Sequence, residues 1–545
     1  MNPAAISTST TPSNMDSACI RHTDLPGTSK LFADLCYDFP RVAPFYKYDP
    51  SQLSSLEASA HEAASATVYP PERRAAMAQA LAAQNPPSDI LTRFAQPGTV
   101  AVITGQQVGL FTGPAYTIYK ALTAVRLADE LTMRGISAVP IFWLATEDHD
   151  FAEVANTWVF DANRHPVQLS VAAEPNWQNV QRPAGTYPIE PAPSLAELHS
   201  ALAQFPFVTE VLALADEAYA SDDTLTMGSG FRALLLKLLQ RIGILVLDPL
   251  DPAVRAIGAP FMAQALKLAP ELKTALLARG RELSAAGYHS QVLVEDKTSL
   301  FFLLNRSASG IVDRVTLRQK DSEFAELIPR AADVSPNALL RPVWQDYLLP
   351  TAAYVGGPGE LAYFAQSSVL YDRLLGRMPV ITPRAGFTIL DARAEKLMKR
   401  FQLTLADLMV HRDTLKARIA HTLVPSRLTE SFDATGMLIT SELDRLSAEL
   451  QAFDPTLAAA MAKSRAKVGY QIEKLRRKTE RETLHRDQRA LTDTAYLQGL
   501  LYPEGHLQER LHSILPFLAL YGLDLIGRLY QQIKPGCPDH QILTL

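Results

Sequence analysis

VAVITGQQVGLFTGP, residues 100–114, joins an apolar, β-branched run to a glycine-rich turn and then to a proline that suits the first position of a helix. In the helix predicted over 114–133, Ile118 and Leu122 recur at helical spacing on one face. A strand, a turn and a helix in this order are typical of βαβ units, from which parallel sheets are built. The stretch therefore predicts an α/β fold whose first strand is Val100–Ile103.

The same order of strand, turn and helix patterns continues to about residue 400 and predicts four more strands of a parallel-sheet core. They are Val139–Ala145, Ile244–Leu247, Ala352–Val355 and Val380–Thr382. Two segments do not follow this order of strand, turn and helix and are predicted to be insertions. Segment 160–225 is rich in Pro and Ala, and segment 288–318 has the pattern of antiparallel hairpins. Its predicted strands are Val292–Val294 and Leu300–Leu304, and its predicted turn is Asn305–Gly310.

Strand patterns end after Arg400, and from about Thr440 charge rises and apolar residues fall at coiled-coil intervals. One seam comprises Leu443, Leu446, Leu450 and Phe453, and a second comprises Leu457, Met461, Val468, Ile472 and Leu475. Asp454 and Pro455 separate the seams, which predicts two helices with a sharp break. Because the seams are narrow, we expect this arm to pair two subunits in a homodimer. A solvated helical hairpin within one chain is the alternative.

These patterns divide the chain into four predicted parts. Residues 1–25, rich in Ser, Thr, Pro and Asn, are expected to be a disordered tail. Residues 26–400 form the α/β core with its two insertions, and residues 401–500 form the helical coiled-coil arm. Residues 501–545 regain apolar density and are predicted to pack back on the core.

Charge and cysteine content narrow the possible partners. The net charge of −5 argues against a protein built to bind nucleic acid, which usually needs a basic face. No apolar run approaches the roughly 18–20 residues of a membrane span, so no membrane partner is expected. Cys19, Cys36 and Cys537 have no paired spacing, which predicts neither a disulfide framework nor a metal site. We therefore expect a cytoplasmic protein.

Polar residues and glycines follow each predicted strand. After the five strands come, in order, Thr104, Gly105, Gln106, Gln107 and Gly109; Glu147, Asp148, His149 and Asp150; Asp248; Gly356, Gly357, Gly359 and Glu360; and Arg384. Ligands of open parallel sheets bind at the carboxyl ends of the strands. The strand ends therefore predict one shared binding site.

The cluster Glu147–Asp150 is the predicted catalytic centre. Three carboxylates and a histidine in four residues repel one another unless a cation, an amine substrate or an arginine compensates them. Histidine titrates near neutrality, so His149 is predicted to deprotonate an attacking ammonium group, with Asp148 and Glu147 beside it. Asp150 has an alternative role, because with Glu153 it could form the capping box of the next helix.

Two glycine-rich turns are candidates for binding substrate or nucleotide. The loop with Gly105 and Gly109 precedes a helix N-terminus, but it is neither a Walker loop nor a dinucleotide fingerprint, and its glycines could serve the turn alone. Gly356–Glu360 offers consecutive backbone N–H groups at a helix start, which suit an anion. Arg341 could clamp a carboxylate or phosphate, or it could simply be solvated. Further candidates before the same strand are Gln345 and Asp346.

Taken together, these strings resemble the bacillithiol-biosynthesis cysteine-adding enzymes, the BshC family. The matching strings are TGQQVGLFTGPAYTIYK (104–120), FWLATEDHD (142–150), GYHSQ (287–291), RPVWQDYLLP (341–350), GGPGELAY (356–363) and LYPEG (501–505). Segment 25–50 also looks like the family's opening, so the resemblance covers nearly the whole chain. Tyr363, which ends the fifth string, joins the binding candidates.

The resemblance implies a Rossmann-like core and a coiled-coil domain that pairs two subunits. It also implies a ligase that forms a carbon–nitrogen bond, adding L-cysteine to the amine of glucosaminyl-malate in the last step of bacillithiol biosynthesis. A carboxylate and an amine do not condense usefully in water, so the carboxyl group must be activated, and ATP or another nucleotide is expected. The chain has neither a His-Ile-Gly-His nor a Lys-Met-Ser-Lys-Ser type signature, so the energy source stays open.

Two other functions remain compatible with the sequence. The first is another nucleotide-using amide ligase or transferase on the same core, with a different amine acceptor. The second is a non-catalytic, dimeric scaffold whose core binds a metabolite. The dense polar strand ends argue against a pure scaffold, because solvated loops have no need of such a cluster.

Overall fold

The computed structural model describes residues 17–172, 181–220, 224–295, 297–306, 312–317 and 324–545. Their strands are β1 (Ser17–Ile20), β2 (Val100–Gln106), β3 (Ala138–Leu144), β4 (Asn156–Phe160), β5 (Pro166–Ser170), β6 (Leu245–Leu247), β7 (Phe301–Arg306), β8 (Val312–Thr316), β9 (Val334–Pro336), β10 (Thr351–Gly356), β11 (Val380–Pro383), β12 (Phe387–Leu390) and β13 (His540–Thr544). Their helices are α1 (Lys30–Tyr37), α2 (Phe39–Val42), α3 (Leu53–Ala64), α4 (Pro71–Gln84), α5 (Asp89–Ala95), α6 (Tyr116–Met133), α7 (Phe151–Val154), α8 (Ala192–Leu202), α9 (Val208–Ala218), α10 (Met227–Leu239), α11 (Pro252–Lys267), α12 (Ala269–Ala285), α13 (Phe324–Leu327), α14 (Arg341–Leu348), α15 (Pro358–Leu374), α16 (Ala392–Arg400), α17 (Leu405–Leu408), α18 (Arg412–Leu423), α19 (Ser426–Phe453), α20 (Pro455–Arg486), α21 (Gln488–Leu501), α22 (Gln508–Leu511), α23 (Leu515–Tyr521) and α24 (Leu525–Gln532).

Five parallel strands form the central sheet, in the order β11-β10-β2-β3-β6. They correspond to the five strands predicted from the sequence, so the parallel α/β core is confirmed. From β2 the chain adds β3 and then β6 on one side, and it later adds β10 and β11 on the other side. The order therefore reverses between β2 and β10, and this is the position at which open α/β sheets bind ligands.

Helices cover both faces of this sheet. Nearly every residue of β2, β3 and β10 is buried, which explains why their sequences are almost continuously apolar. In β2, Val100 and Val102 join an apolar cluster with residues of α3 and α6, whereas Ala101 and Ile103 join a cluster with residues of α4 and α11. Successive side chains of a strand point to opposite faces, so one strand anchors both layers.

A second sheet, in the order β1-β13-β12, joins both ends of the described chain. The strand β13 pairs with β1 in antiparallel and with β12 in parallel orientation. The prediction of a disordered tail over residues 1–25 is wrong for residues 17–25, because Ser17–Ile20 pair with β13. Residues 1–16 lie outside the described residues.

Each predicted insertion contributes to a small antiparallel sheet that extends beyond its predicted bounds. In the first, β5 pairs with β4, which begins at Asn156, before the predicted start at residue 160; residues 173–180 and 221–223 lie outside the described chain. In the second, β7 pairs with β8 and with β9, which follows the predicted end at residue 318. Most of the predicted turn Asn305–Gly310 lies outside the description.

The predicted strand Val292–Val294 is wrong. The backbone N–H of Val292 donates to Oε1 of Gln366 at 2.9 Å, and its carbonyl accepts from Nε2 of Gln366 at 2.8 Å. A side chain of α15 therefore satisfies the backbone that a neighbouring strand would otherwise pair with.

The two longest helices, α19 and α20, form a hairpin with the predicted break between them. Asp454 accepts a hydrogen bond from the N–H of Thr456 at 2.8 Å, and Pro455 occupies the first position of α20. No residue of α19 is buried, and Leu484 is the single buried residue of α20. None of the helices in the described part of the chain is long and apolar enough to cross a membrane.

The predicted limits of the arm, 401–500, are wrong at both ends. Residues before α19 and after α20 are buried in the largest apolar cluster of the protein; they include Phe401, Leu415, Ile419, Tyr496 and Leu497. The apolar residues of these segments recur at helical spacing, but their side chains pack into the core of the protein. The exposed arm is the hairpin α19–α20 alone.

Candidate functional site

A cleft of about 590 Å³ opens at the carboxyl ends of the central strands, at the reversal between β2 and β10. Loops after β2, β3, β10 and β11 line it, the second insertion adds Phe302 and Arg314, and α22 adds Arg510. Its volume is within the range of about 300–1,000 Å³ found for small-molecule sites. The predicted site residues on its wall are Gly105, Gln106, Gln107, Glu147, Asp148, His149, Arg341, Gly357, Gly359, Glu360, Tyr363 and Arg384.

Six predicted site residues do not line the cleft: Thr104, Gly109, Asp150, Gln345, Asp346 and Gly356. Thr104 ties two central strands together, because its Oγ1 donates to the carbonyl of Val355 at 2.9 Å. Asp346 is buried and accepts hydrogen bonds from Oγ1 of Thr351 at 2.6 Å and from the hydroxyl of Tyr371 at 2.5 Å. Both side chains are bonded internally, so they support the frame of the site and do not contact a ligand.

The consecutive residues of the predicted catalytic cluster differ in environment. Glu147 is buried and forms an ion pair with Arg255, whose Nη1 lies 2.5 Å from its Oε1. Burial raises the pKa of Glu147, and the positive charges of Arg255 and Arg314 oppose that shift. Asp150 accepts a hydrogen bond from the N–H of Glu153 at 3.1 Å and so caps α7. The structure therefore gives Asp150 the alternative, capping role.

Asp148 is the carboxylate of the cluster that faces the cleft, with 38% of its side chain exposed. Its Oδ2 accepts from Nε2 of Gln107 at 2.6 Å, and its Oδ1 accepts from the backbone N–H of His149 at 2.8 Å. Gln107 also donates to Glu153 at 2.9 Å, which brings a second carboxylate to the same wall. Two neighbouring carboxylates favour a cationic ligand such as an ammonium group.

His149 lies beside Asp148 under the second insertion. Its Nδ1 lies 3.2 Å from Nη1 of Arg314 on β8 and 3.7 Å from Oδ1 of Asp148. Its ring centroid lies 5.9 Å from that of Phe302 on β7. These contacts occupy Nδ1, and Nε2 has no hydrogen-bond partner among the described residues, so Nε2 is the ring nitrogen left for a ligand.

An ion pair between Lys120 and Glu360 lies on the wall of the cleft. The ammonium of Lys120 also donates to the carbonyl of Gly105 at 3.0 Å and to Oε1 of Gln106 at 2.7 Å. Three acceptors satisfy its three N–H groups, so Lys120 ties the end of β2 to the start of α15. Burial lowers the pKa of Lys120. Burial alone would raise the pKa of Glu360, but Lys120 and the N–H of Gly357 hold it below its ordinary value.

The predicted anion nest at Gly356–Glu360 is partly filled by the chain itself. The N–H of Gly357 donates to Oε2 of Glu360 at 2.9 Å, so a carboxylate of the same helix occupies this group. Pro358 has no N–H. The N–H groups of Gly359 and Glu360 have no acceptor among the described residues. The nest therefore offers two donors and not a continuous run.

The arginines of the cleft differ in whether they are already paired. Arg341 donates to the hydroxyl of Tyr363 at 2.8 Å, and Arg384 lies 2.5 Å from the buried carboxylate of Glu509. Arg510 is exposed at the cleft, and its side chain has no hydrogen bond or ion pair among the described residues. Arg510 is therefore free to bind an anion.

Four charged residues of the site were not predicted as site residues from the sequence: Lys120, Glu153, Arg314 and Arg510. Lys120 carried a usable signal, because it is the single charged residue in the otherwise uncharged run 116–125 and a buried charge needs a partner. Arg314 and Arg510 carried none, since a single arginine near other polar residues is common. The described part of the chain contains no group of three His, Cys, Asp or Glu side chains that could hold a metal ion.

Comparison with known proteins matches the whole described chain to two family models. Residues 15–385 match "Bacillithiol biosynthesis BshC, N-terminal Rossmann-like domain", and residues 387–545 match "Bacillithiol biosynthesis BshC, C-terminal coiled-coil domain". A protein of Solibacter usitatus is 51% identical, over 97% of this chain and 100% of its own length. Proteins of Koribacter versatilis (34% identical, 97% and 99% covered) and Salinibacter ruber (32%, 94% and 96%) are also similar. All three are named "Putative cysteine ligase BshC".

Proposed function

Because this chain belongs to the BshC family of bacillithiol biosynthesis, we propose that it is a cysteine ligase that joins the carboxyl group of L-cysteine to the amine of glucosaminyl-malate. The observation that carries the proposal is the cleft at the β2–β10 reversal, where four strand ends and α22 converge. One wall presents carboxylates that suit an amine. The other presents unpaired donors that suit an acid group.

The acceptor amine is expected to lie against Asp148 and Glu153. An ammonium group enters between two carboxylates that Gln107 holds together. The ammonium group gives one proton to Asp148, which is exposed enough to reach it, and the neutral amine attacks the activated carbonyl carbon of cysteine. The new carbon–nitrogen bond forms, the bond to the activating group breaks, and the second nitrogen proton leaves with the departing activating group.

An anionic group is expected to bind between Arg510 and the first turn of α15. The N–H groups of Gly359 and Glu360 point out of a helix N-terminus, where the partial positive charge favours carboxylates and phosphates. Either a malate carboxylate of the acceptor or a phosphate of the activating nucleotide fits this chemistry. ATP or another nucleotide is proposed because the cysteine carboxyl group must be activated before it can form an amide.

The exposed arm supports a homodimer. Apolar side chains on α19 and α20 are open to solvent, and a second copy of the chain would cover them. We place the reaction in the cytoplasm, since the three cysteines are all free thiols and suit a reducing compartment.

The test is a reconstitution with the purified full-length protein, L-cysteine, glucosaminyl-malate and ATP, followed by mass spectrometry. We expect a thiol product with the mass of both substrates less one water, and no product when the nucleotide is omitted. Asp148→Asn is the matched inactive control. A product with another amine but not with glucosaminyl-malate would identify a different amide ligase. Substrate binding without any product, whichever nucleotide is supplied, would support a scaffold and contradict the proposal.

A further inference from the structure

Arg314 is held by contacts from the three-stranded sheet β8-β7-β9. On β9, the hydroxyl of Ser335 accepts from its Nε at 3.2 Å and the carbonyl of Pro336 accepts from its Nη2 at 2.8 Å. On β7, the ring of Phe302 stacks under its guanidinium, 3.7 Å from centroid to Cζ. Arg314 is itself buried on β8. Its remaining nitrogen, Nη1, is thereby directed at Nδ1 of His149, 3.2 Å away.

This contact determines which nitrogen of His149 carries the proton. A guanidinium has only N–H donors, so the atom that faces it must be an acceptor. In a neutral imidazole one nitrogen is an acceptor and the other is a donor. Because Nδ1 of His149 accepts from Arg314, its proton must be on Nε2.

The charged ring does not fit the same contacts. An imidazolium would turn an N–H at Nδ1 towards the N–H groups of Arg314. Oδ1 of Asp148 lies 3.7 Å from Nδ1, which is close enough for a charge contact but too far to accept a hydrogen bond from that N–H. Glu147, the other nearby carboxylate, is paired with Arg255.

We propose that Arg314 is a positioning residue that holds His149 as the neutral Nε2–H tautomer, so that His149 donates a hydrogen bond to the substrate and does not take the amine proton. The inference rests on the proposed function for the identity of the substrate. When the amine attacks, the carbonyl oxygen of cysteine gains negative charge, and an N–H at Nε2 stabilises that oxygen. The ammonium group gives one proton to Asp148 before the attack, and the second proton leaves with the activating group, whose bond to the carbonyl carbon breaks as the amide forms. This role replaces the general-base role that the sequence suggested for His149.

The tautomer is tested without any substrate. Long-range ¹H–¹⁵N spectra of the full-length protein, labelled with ¹⁵N-histidine, distinguish a protonated from an unprotonated ring nitrogen. His149→Gln assigns the signal by its loss. We expect Nε2 to be protonated and Nδ1 unprotonated at neutral pH. Arg314→Lys keeps a donor and should preserve this state, whereas Arg314→Met removes it and should allow the other tautomer. A wild-type ring with its proton on Nδ1 would overturn the proposal.

The donor role is tested by two substitutions at His149. The amide of Gln can place an N–H near the position of Nε2, whereas the shorter amide of Asn cannot. We expect His149→Gln to stay within about tenfold of the wild-type turnover, and His149→Asn to lose about 10²–10³-fold, as after loss of an oxyanion donor. Equal losses in two folded variants would show that a proton acceptor is required. If even the wild type forms no product, the proposed function fails, while the NMR result still decides the tautomer.

Discussion

Adjacent carboxylates of the cleft differ in chemistry because they differ in burial. Glu147 is enclosed with Arg255, so its charge is already balanced inside the protein. Asp148, one residue later, keeps 38% of its side chain exposed and lines the space where a substrate amine would lie. At the residue scale, the first carboxylate therefore contributes to the stability of the fold, and the second is the one that we propose for the reaction.

Two matched substitutions separate these roles. Glu147→Gln leaves Arg255 buried without a charged partner and is expected to lower the free energy of unfolding by about 3–5 kcal/mol. Asp148→Asn should change it by less than about 1 kcal/mol, but should lower amide formation by about 10²-fold, as expected for a lost proton acceptor. Urea unfolding and turnover per folded molecule measure the two effects. Equal destabilisation by both changes would contradict the assignment.

At the scale of elements, the end of β2 and the turn before α15 both use glycine, for different reasons. A Cβ on Gly105 would lie 2.8 Å from the carbonyl of Trp143 on the neighbouring strand, so the close pairing of β2 and β3 excludes a side chain. A Cβ on Gly357 would meet only ordinary contacts, at 3.6 Å from Glu360 and 3.8 Å from Arg384. Gly105 therefore allows the close pairing of β2 with β3, whereas Gly357 leaves free space at the wall of the cleft.

Alanine at each position tests this difference. Gly105→Ala is expected to lower the free energy of unfolding by about 1–3 kcal/mol, because the overpacked strands must move apart. Gly357→Ala should cost less than about 1 kcal/mol in stability, but it places a methyl group beside Arg384 and should weaken binding of the acceptor. Thermal unfolding and calorimetric affinity separate the effects. Normal affinity in Gly357→Ala, or in the bulkier Gly357→Val, would show that this turn does not touch the ligand.

The arm offers a test of assembly. The ion pairs Arg476–Asp433 and Arg465–Asp444 set the register of α19 against α20 and place Met437 and Leu438 near Tyr470. All three apolar side chains are mostly exposed: Met437 by 74%, Leu438 by 66% and Tyr470 by 62%. We expect the double substitution Met437→Glu and Leu438→Glu to convert a dimer to monomers, because burying two carboxylates at the interface is unfavourable.

Light scattering at micromolar concentration measures the change. Lys463→Glu, at an exposed site of α20, changes the net charge by the same amount and is expected to leave the dimer intact. Deleting residues 440–497 would be a poorer experiment, because it also removes buried residues of α21. A wild-type protein that is already monomeric would contradict the dimer.

At the scale of the whole molecule, one apolar cluster joins the core to the C-terminal part of the chain, and buried histidines lie within it. The ring of His512 is enclosed, packs edge-on against Phe160, and donates from Nε2 to the carbonyl of Gly499 at 2.7 Å. Burial lowers the pKa of His512 to about 4. In the unfolded chain the ordinary value is about 6.5.

This difference predicts a pH dependence of stability. Between pH values of about 6.5 and 4 the unfolded chain binds one more proton at this residue, so stability is present above the higher value and is lost as the pH falls. The loss from His512 should be about 3 kcal/mol. In His512→Gln, thermal midpoints should fall less steeply over this range, and the exposed His506→Gln serves as the control. Parallel curves for both variants would contradict a neutral, buried His512.

The periodicity of the sequence was enough to predict the five parallel strands and the break at Asp454, and the cleft opens at the strand ends where the sequence placed the site. These features depend on local properties: alternating or continuous apolar residues, glycine and proline at turns, and polar residues directly after a strand. Where a local pattern gave a wrong prediction, the backbone of that segment is hydrogen-bonded to a residue far away in the sequence. Val292 bonds to Gln366 on α15, and Ser17–Ile20 pair with the last strand of the chain.

The sequence by itself thus determined the class of fold, the order of its elements and the edge of the sheet at which the cleft opens. The tertiary structure alone decided which charged groups of that edge are free. Glu147 pairs with Arg255, and Arg384 pairs with Glu509. His149 contacts Arg314, and in all three pairs the partners are more than a hundred positions apart in the chain. Burial and pairing depend on which surfaces the fold brings together, and no local pattern carries that information. For this reason the sequence predicts a catalytic centre at this four-residue cluster, whereas the folded protein has a buried ion pair at Glu147, an exposed carboxylate at Asp148, a histidine in contact with Arg314 and a helix cap at Asp150.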